Sequence, residues 1–361
     1  MLRRSTFTAV VLCIVQFGNA TAAEHCTQHL LGLPPLASAS ADARDLAEIG
    51  RALFADPRLS ADGRVSCATC HLPARDFADS LPQPKGVRGQ QGTRNAPSLV
   101  NVAYVAELFW DGRAATLEAQ TTMPMLNRLE HGLNSEEEVV RIVRSSGSYV
   151  AQFSRVGLPG ALSIDDVRRA LAQYERTLRS GGSPFDRYLY GNESGAMSAA
   201  AVRGFELFRG RAGCVTCHTL DARSALFSDQ KYHVSPLGVP PRALTSLAAN
   251  ATRVAALKKR GDESALNSLI SSDAEVAALG RFVVTLNPAD IGAYRTPSLR
   301  NVARTGPYMH DGSVSQLEEA LELELYGHED SSRKPLVLSA GDKTDLLAFL
   351  NALSDTCRGG G

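Results

Sequence analysis

The chain has 361 residues, a length that suits two domains of ordinary size. Its 38 basic and 38 acidic residues balance, which excludes a strongly basic surface for nucleic acid. At the N-terminus, Arg3 and Arg4 precede a mostly apolar run at 7–17, and a small-residue segment resembling a cleavage site follows at 20–22. We therefore expect residues 1–23 to be a secretory signal peptide. Because no later segment reaches transmembrane length, the mature protein is expected to be periplasmic and not membrane-embedded.

Helical patterns dominate the rest of the chain, so the predicted fold class is mainly α. Apolar spacing and capping pairs predict helices over 42–55, from Ser135, from Ser163 to about 179, from Ser198 through 208, and after Ser339. A Gly-Gly-Ser-Pro segment at 181–184 interrupts this pattern. It divides the mature chain into an N-terminal domain over 24–182 and a C-terminal domain over 183–361.

The sequence C-x-x-C-H occurs twice, at 67–71 and at 214–218. This spacing lets two thiols form thioethers to one porphyrin while the following His becomes the proximal iron ligand. A zinc site would not need a His directly after the second Cys. The motifs therefore predict two covalently bound c-type haems. Their attachment residues are Cys67, Cys70 and His71 in the first copy and Cys214, Cys217 and His218 in the second.

A second repeated pattern lies downstream of each haem motif. Ten residues between 97 and 118 recur 200 positions later, which predicts two cytochrome c-like haem domains related by internal duplication. The copies differ at Trp110, which aligns with His310, and at Gln120, which aligns with Ala320. The second copy also carries a longer insert after its haem motif, which we expect to be a solvated helical excursion.

In combination, these motifs resemble the bacterial dihaem cytochrome c peroxidase and MauG superfamily over nearly the whole mature chain. The resemblance rests on both C-x-x-C-H motifs, on Phe-Trp-Asp-Gly-Arg at 109–113, and on the segments at 294–303 and 307–312. It implies that hydrogen peroxide reacts at the N-terminal haem and that electrons pass through the C-terminal haem. It also implies catalytic roles for Gln120 and Glu130, which lie ten residues apart, and an electron relay through Trp110. A carboxylate beside the iron suits the proton transfer that peroxide cleavage needs.

The resemblance further implies a calcium ion between the domains. Its ligands would be the Asn95 side chain and the backbone carbonyls of Thr305 and Pro307. Oxygen ligands of this kind suit Ca²⁺.

Two departures from the hydrogen-peroxide-scavenging members favour MauG-like behaviour. No His occurs from 72 to 94, where those peroxidases have a distal His, so we expect an open first haem at rest. The segment 317–328 contains no Met to ligate the second haem. Tyr326 is the predicted ligand there, although it falls two residues after the matching position, Glu324; His328 and Met309 are the other candidates.

Three functions follow from these patterns. The favoured one is a periplasmic dihaem peroxidase that oxidises a partner protein. The others are a scavenging peroxidase that takes electrons from a small cytochrome or copper protein, and a dihaem electron carrier without catalysis. Two further cysteines of the mature chain, Cys26 and Cys357, are expected to form a disulfide in an oxidising compartment, with two free thiols as the alternative.

Overall fold

The computed structural model describes residues 30–38, 40–158, 162–327 and 336–355, and their regular structure is mainly α-helical. In chain order the helices are α1 Ala41–Phe54, α2 Cys67–Cys70, α3 Leu117–Leu126, α4 Glu136–Arg144, α5 Gly147–Arg155, α6 Ile164–Thr177, α7 Pro184–Leu189, α8 Ala199–Arg209, α9 Leu247–Arg260, α10 Glu263–Ser272, α11 Ala274–Ala277, α12 Phe282–Thr285, α13 Leu317–Gly327 and α14 Ala340–Ala352. Two short strands, β1 Tyr232–Val234 and β2 Ala293–Arg295, pair antiparallel. Within the described ranges, no helix has the length and apolar character needed to cross a bilayer.

The first half is built around the crossing of α1 and α6. Gly50 allows this close approach, since a Cβ there would lie 1.9 Å from the Ala170 carbonyl oxygen. Ser163 and Asp166 form the capping box that begins α6. Helices α4 and α5 add apolar side chains to the same core, whose buried members include Leu53, Phe54, Val139, Val143, Phe153, Val167 and Leu171.

The second half repeats this arrangement with α8 and α14. Gly204 lies at their crossing, where a Cβ would come within 1.9 Å of the Asp345 carbonyl oxygen. The core here is aromatic, with rings meeting mostly edge to face. Its buried rings are Phe185, Phe205, Phe208, Phe227 and Phe349.

Similar loop structures follow the haem motif in each half. Asn101 and Asn301 both adopt left-handed backbone conformations, with φ of 63° and 59°, and each begins a short 3-10 turn. Their side chains both reach Ser180 in the segment joining the halves: the Asn101 amide donates to its carbonyl oxygen and the Asn301 amide to its hydroxyl. The segment that repeats in sequence therefore also has a matching local structure, and in both halves it contacts the connecting segment.

The insert of the second half packs against the first half. Its helices α9 to α12 have their own buried core, which includes Val254, Leu266, Ile270, Leu279 and Val283. The Thr93 hydroxyl donates to the Ile270 carbonyl oxygen at 2.7 Å, and Arg94 donates to the Ala277 carbonyl oxygen at 2.7 Å. The insert is helical, as expected, but it is more than a solvated excursion, because it buries a core of its own and accepts hydrogen bonds from the first half.

The predicted helices are confirmed with small changes at their ends. The helix from Ser163 ends at Thr177 rather than 179, because Leu178 leaves the helical conformation. Ser183 and Pro184, the last two residues of the predicted break, begin the short helix α7. The predicted signal peptide, Cys26, Cys357 and His328 lie outside the described residues.

Candidate active site

The first attachment motif forms a single helical turn. Ser66 and Thr69 cap α2, which carries both cysteines of the motif. His71 Nδ1 lies 3.0 Å from the Phe77 carbonyl oxygen and 3.1 Å from the Pro97 carbonyl oxygen. Nδ1 therefore carries the proton, and Nε2 is left for a metal. Burial lowers the pKa of His71, which favours the neutral imidazole that binds iron.

The second motif has the same chemistry on a 3-10 turn, Cys214–Thr216. His218 Nδ1 donates to the Phe227 carbonyl oxygen at 2.9 Å, which again leaves Nε2 free for a metal, and burial lowers the pKa of this imidazole. The four cysteines of the motifs form no disulfide. Each motif thus presents two thiols outside any disulfide and an oriented, neutral imidazole, the donor set that a covalent haem requires.

Glu130 lies in the pocket of the first motif. Its charge acts on the thiols of Cys67 and Cys70, whose pKa values burial raises. Burial also raises the pKa of Glu130, while the positive charge of Arg113 acts in the opposite direction. Asn127 Nδ2 donates to Glu130 Oε1 at 2.8 Å. The carboxyl group is therefore held in place by Asn127, and its burial favours the protonated form.

Gln120 lies on α3, one turn after the helix begins. Its side chain is half-buried, and it makes no hydrogen bond within the described part of the chain. The amide is thus free to bind a ligand. His131 follows Glu130 in sequence but is tied elsewhere, because its Nδ1 donates to the Leu59 carbonyl oxygen at 2.6 Å. Burial lowers the pKa of His131.

Trp110 lies where the two halves meet. Its Nε1 donates to the Asn95 carbonyl oxygen at 2.9 Å, and its own carbonyl accepts from the Arg295 backbone at 2.9 Å. The Asn95 backbone N–H in turn donates to the His310 carbonyl oxygen. The chain's single tryptophan is therefore fixed by backbone groups of both halves.

Comparison with known proteins identifies the family of this chain. A family model described as di-haem cytochrome c peroxidase matches residues 44–194. The cytochrome-c peroxidase IdrP1 of Pseudomonas sp. (strain SCT) is 36% identical over 316 residues, covering 85% of this chain and 80% of that protein. The chain belongs to the di-haem cytochrome c peroxidase family. It is therefore an oxidoreductase of the dihaem type, and the family implies two c-type haems.

Proteins named MauG are also among the relatives of this chain. The methylamine utilization protein MauG of Methylorubrum extorquens (strain ATCC 14718 / DSM 1338 / JCM 2805 / NCIMB 9133 / AM1) is 34% identical over 310 residues, covering 84% of this chain and 77% of that protein. A crystal structure of a MauG-like protein associated with microbial copper homeostasis matches with a TM-score of 0.69 at 28% identity. That match covers 90% of this chain and 94% of the other.

Two candidate ligands of the second haem, Tyr326 and Glu324, lie on α13. Tyr326 is 45% exposed, and its ring centroid lies 5.0 Å from Lys343 Nζ, which also pairs with Glu322. Glu322 and Tyr326 are one turn apart and share that face, so Glu324 lies on another. The charge of Glu324 acts on His218 and on the Cys214 thiol. Met309 lies in a turn with φ of 70° and is half-buried.

The oxygens implied for calcium come from two loops at the interface between the halves. The Asn95 amide donates to the carbonyls of Leu81 and Pro82, which leaves its Oδ1 available. Within the described residues, the carbonyl oxygens of Thr305 and Pro307 accept no hydrogen bond. These three neutral oxygens suit Ca²⁺. Arg75 donates to the intervening Gly306 carbonyl oxygen at 2.7 Å, so a fixed positive charge lies close by.

Four residues of the pocket network were not identified from the sequence. In the sequence, Arg113 is recognisable only as the last residue of the motif at 109–113, and Asn127, Asn267 and Ser271 belong to no motif. Arg113 Nε donates to Asn267 Oδ1 at 3.0 Å, and Asn127 Nδ2 donates to Ser271 Oγ at 2.6 Å. Nothing in the sequence pattern links the insert to the first half, so no local signal could have identified these contacts.

Proposed function

We propose that this protein activates hydrogen peroxide at the haem held by Cys67, Cys70 and His71. The observation that supports this most strongly is the half-buried carboxyl of Glu130, which accepts from Asn127 and whose charge acts on the thiols of that motif. A bound haem supplies the iron and the redox equivalents. Glu130 moves the proton from the near to the far peroxide oxygen, and the free amide of Gln120 orients the peroxide.

Substitution of Glu130 tests this role. Glu130→Gln keeps the shape of the side chain but removes its acid–base function, so reaction with peroxide should slow about a hundredfold or more. Glu137→Gln, an exposed carboxyl seven residues away, is the matched control and should react at the wild-type rate. Stopped-flow absorbance of the dihaem protein measures both. A Glu130→Gln protein that reacts as fast as wild type would refute this assignment.

We propose that electrons pass between the haems through Trp110. Its hydrogen bond to Asn95 and its backbone contact with Arg295 support a position on the route between the halves. Trp110→Phe should leave the first reaction with peroxide intact and slow the later exchange of electrons between the haems. Equal exchange rates in wild type and Trp110→Phe would exclude the indole from the route.

The electron source is proposed to be a residue of a partner protein, in the manner of the MauG relatives. The lack of His from 72 to 94 supports an open first haem at rest. Adding peroxide with and without reduced cytochrome c distinguishes this from a scavenging peroxidase, which should oxidise the cytochrome at many turnovers. A non-catalytic carrier would leave peroxide unconsumed in both mixtures.

For the second haem, we propose a distal ligand from α13. The sequence predicts Tyr326, which is 45% exposed, and Glu324 on another face of the same helix is the alternative. Glu324→Gln and Tyr326→Phe form a direct test, because only loss of the true ligand should change the ligand-field bands of the second haem. Unchanged bands in both variants would move the assignment to Met309 or His328.

Calcium at the interface is proposed to bind Asn95 Oδ1 and the carbonyl oxygens of Thr305 and Pro307. No carboxylate belongs to this set and Arg75 lies beside it, so binding should be weak. Calorimetric titration of chelator-treated protein should show one site that Asn95→Ala weakens. A titration without heat in the wild type would reject the site.

The remaining proposals concern origin and location. The two haem domains, 24–182 and 183–361, are proposed to descend from a duplication, as the matching turns at Asn101 and Asn301 support. The N-terminal segment 1–23 is proposed to direct export to the periplasm, where c-type haems are attached. Intact-mass measurement should find two haems and a cleaved N-terminus, and Cys67→Ala with Cys70→Ala should lose one haem.

A further inference from the structure

The insert of the second half contributes side chains to the pocket of the first. On α10, Asn267 and Ser271 lie one turn apart, so both point from the same face. Asn267 Oδ1 accepts from Arg113 Nε at 3.0 Å, and Ser271 Oγ accepts from Asn127 Nδ2 at 2.6 Å. Arg113 is the positive charge that acts on Glu130.

The hydrogen bonds around Asn127 are fully assigned. Its two amide hydrogens go to Glu130 Oε1 and to Ser271 Oγ, while its Oδ1 accepts from the Leu129 backbone at 2.9 Å. The Ser271 hydroxyl then donates to the Asn267 carbonyl oxygen at 3.0 Å. Asn127 and Ser271 are both 7% exposed. Such a network fixes the rotation of the amide, because a buried N–H without an acceptor is costly.

We propose that Ser271 and Asn267 are positioning residues for the peroxide reaction. Ser271 orients Asn127, and Asn127 holds the Glu130 carboxyl in place. Asn267 accepts from Arg113, whose positive charge acts on the same carboxyl. The second half would therefore supply the support for the acid–base group of the first half. This inference rests on the proposed role of Glu130.

Thr and Val have the same shape, so a comparison of Ser271→Thr with Ser271→Val isolates the effect of the hydroxyl group. Ser271→Thr and Ser271→Val add the same volume, but only Thr keeps an oxygen for Asn127. The Val variant should react with peroxide about three- to tenfold more slowly than the Thr variant, the scale of one lost hydrogen bond. Ser271→Ala adds no volume and serves if the larger side chains prevent folding. Its matched control is Ser272→Ala, an exposed neighbour that should react as wild type does.

The same measurement in the Glu130→Gln background shows whether Ser271 acts through Glu130. In that background the rate difference between the Ser271→Thr and Ser271→Val variants should vanish. The haem absorbance of every variant should stay that of the parent protein. Equal rates for the Thr and Val variants, with Glu130→Gln slow, would overturn this inference alone. A wild-type rate in Glu130→Gln would overturn both the inference and the proposed function.

Discussion

Asp111 offers a sharp test of how the first pocket is stabilised. Its carboxylate is fully buried, with Oδ2 at 2.5 Å from an Arg94 nitrogen and Oδ1 at 3.0 Å from an Arg113 nitrogen. Both guanidinium groups are themselves nearly buried. Asp111→Asn would leave two confined positive charges without their counter-ion. Removing one partner of a buried pair costs about 3–5 kcal/mol of unfolding free energy.

The second half provides the control for this substitution. Asp311 occupies the equivalent position, but it is partly exposed and Oδ1 accepts from the Ser313 backbone at 3.0 Å. Asp311→Asn should cost less than about 1 kcal/mol, since one turn bond is all that changes. Urea unfolding at pH 7, followed by circular dichroism, compares the two variants. Equal losses of stability in the two variants would refute the reasoning.

The pH dependence of the stability of Asp111→Asn tests whether the ionised carboxylate is the stabilising form. Burial raises the pKa of Asp111, but the charges of Arg113 and Arg94 outweigh it and hold the pKa below its usual range. A group with a depressed folded-state pKa stabilises the protein above its unfolded pKa, about 3.9, and loses that contribution at lower pH. The difference in unfolding free energy between wild type and Asp111→Asn should therefore be full at pH 7 and should narrow below about pH 4.

Three other predictions concern stability and covalent structure. Burial raises the pKa of Glu175 to about 8. The protonated carboxyl therefore contributes to stability below about pH 4.5, and this contribution is lost as the pH rises to 8. Glu175→Gln should stabilise the protein at pH 8 by a few kcal/mol in urea titration, roughly the linkage scale. Gly50→Ala would place a methyl group 1.9 Å from a carbonyl oxygen and should lower the unfolding free energy by about 1–3 kcal/mol or more in thermal melts. Gly147→Ala, with open space around it, is the control and should leave the stability unchanged. Non-reducing peptide mapping should recover Cys26 linked to Cys357, and free thiols at both positions would reject the disulfide.

The sequence predicted those features whose chemistry is local. The haem motifs and the cap at Ser163 depend on residues a few positions apart, so spacing alone identifies them. The face on which Glu324 lies depends on how α13 is rotated, which requires the contact between Lys343 and Tyr326. Contacts such as that of Ser271 require the docking of the insert, which is a tertiary event with no signal in the local pattern.

The differences between the repeated segments lie where each half meets the rest of the molecule. Val100 in the first copy corresponds to Arg300 in the second, which donates to both oxygens of buried Asp186 and to the Gly32 carbonyl oxygen. That arginine therefore ties its own turn to the N-terminal segment of the described chain.

In the first half, a cluster of Asp111, Arg94 and Arg113 ties the repeated segment to the insert. Arg94 and Arg113 each bond both to Asp111 and to the insert, at the Ala277 carbonyl oxygen and at Asn267. One carboxylate thus orients two arginines that reach across the interface between the halves, and Arg113 is also the charge that acts on Glu130. Stability of the interface and the electrostatics of the first pocket consequently depend on the same residues. Asp111, paired with two arginines that reach the insert, is fully buried, whereas the corresponding Asp311 is partly exposed and accepts from the Ser313 backbone.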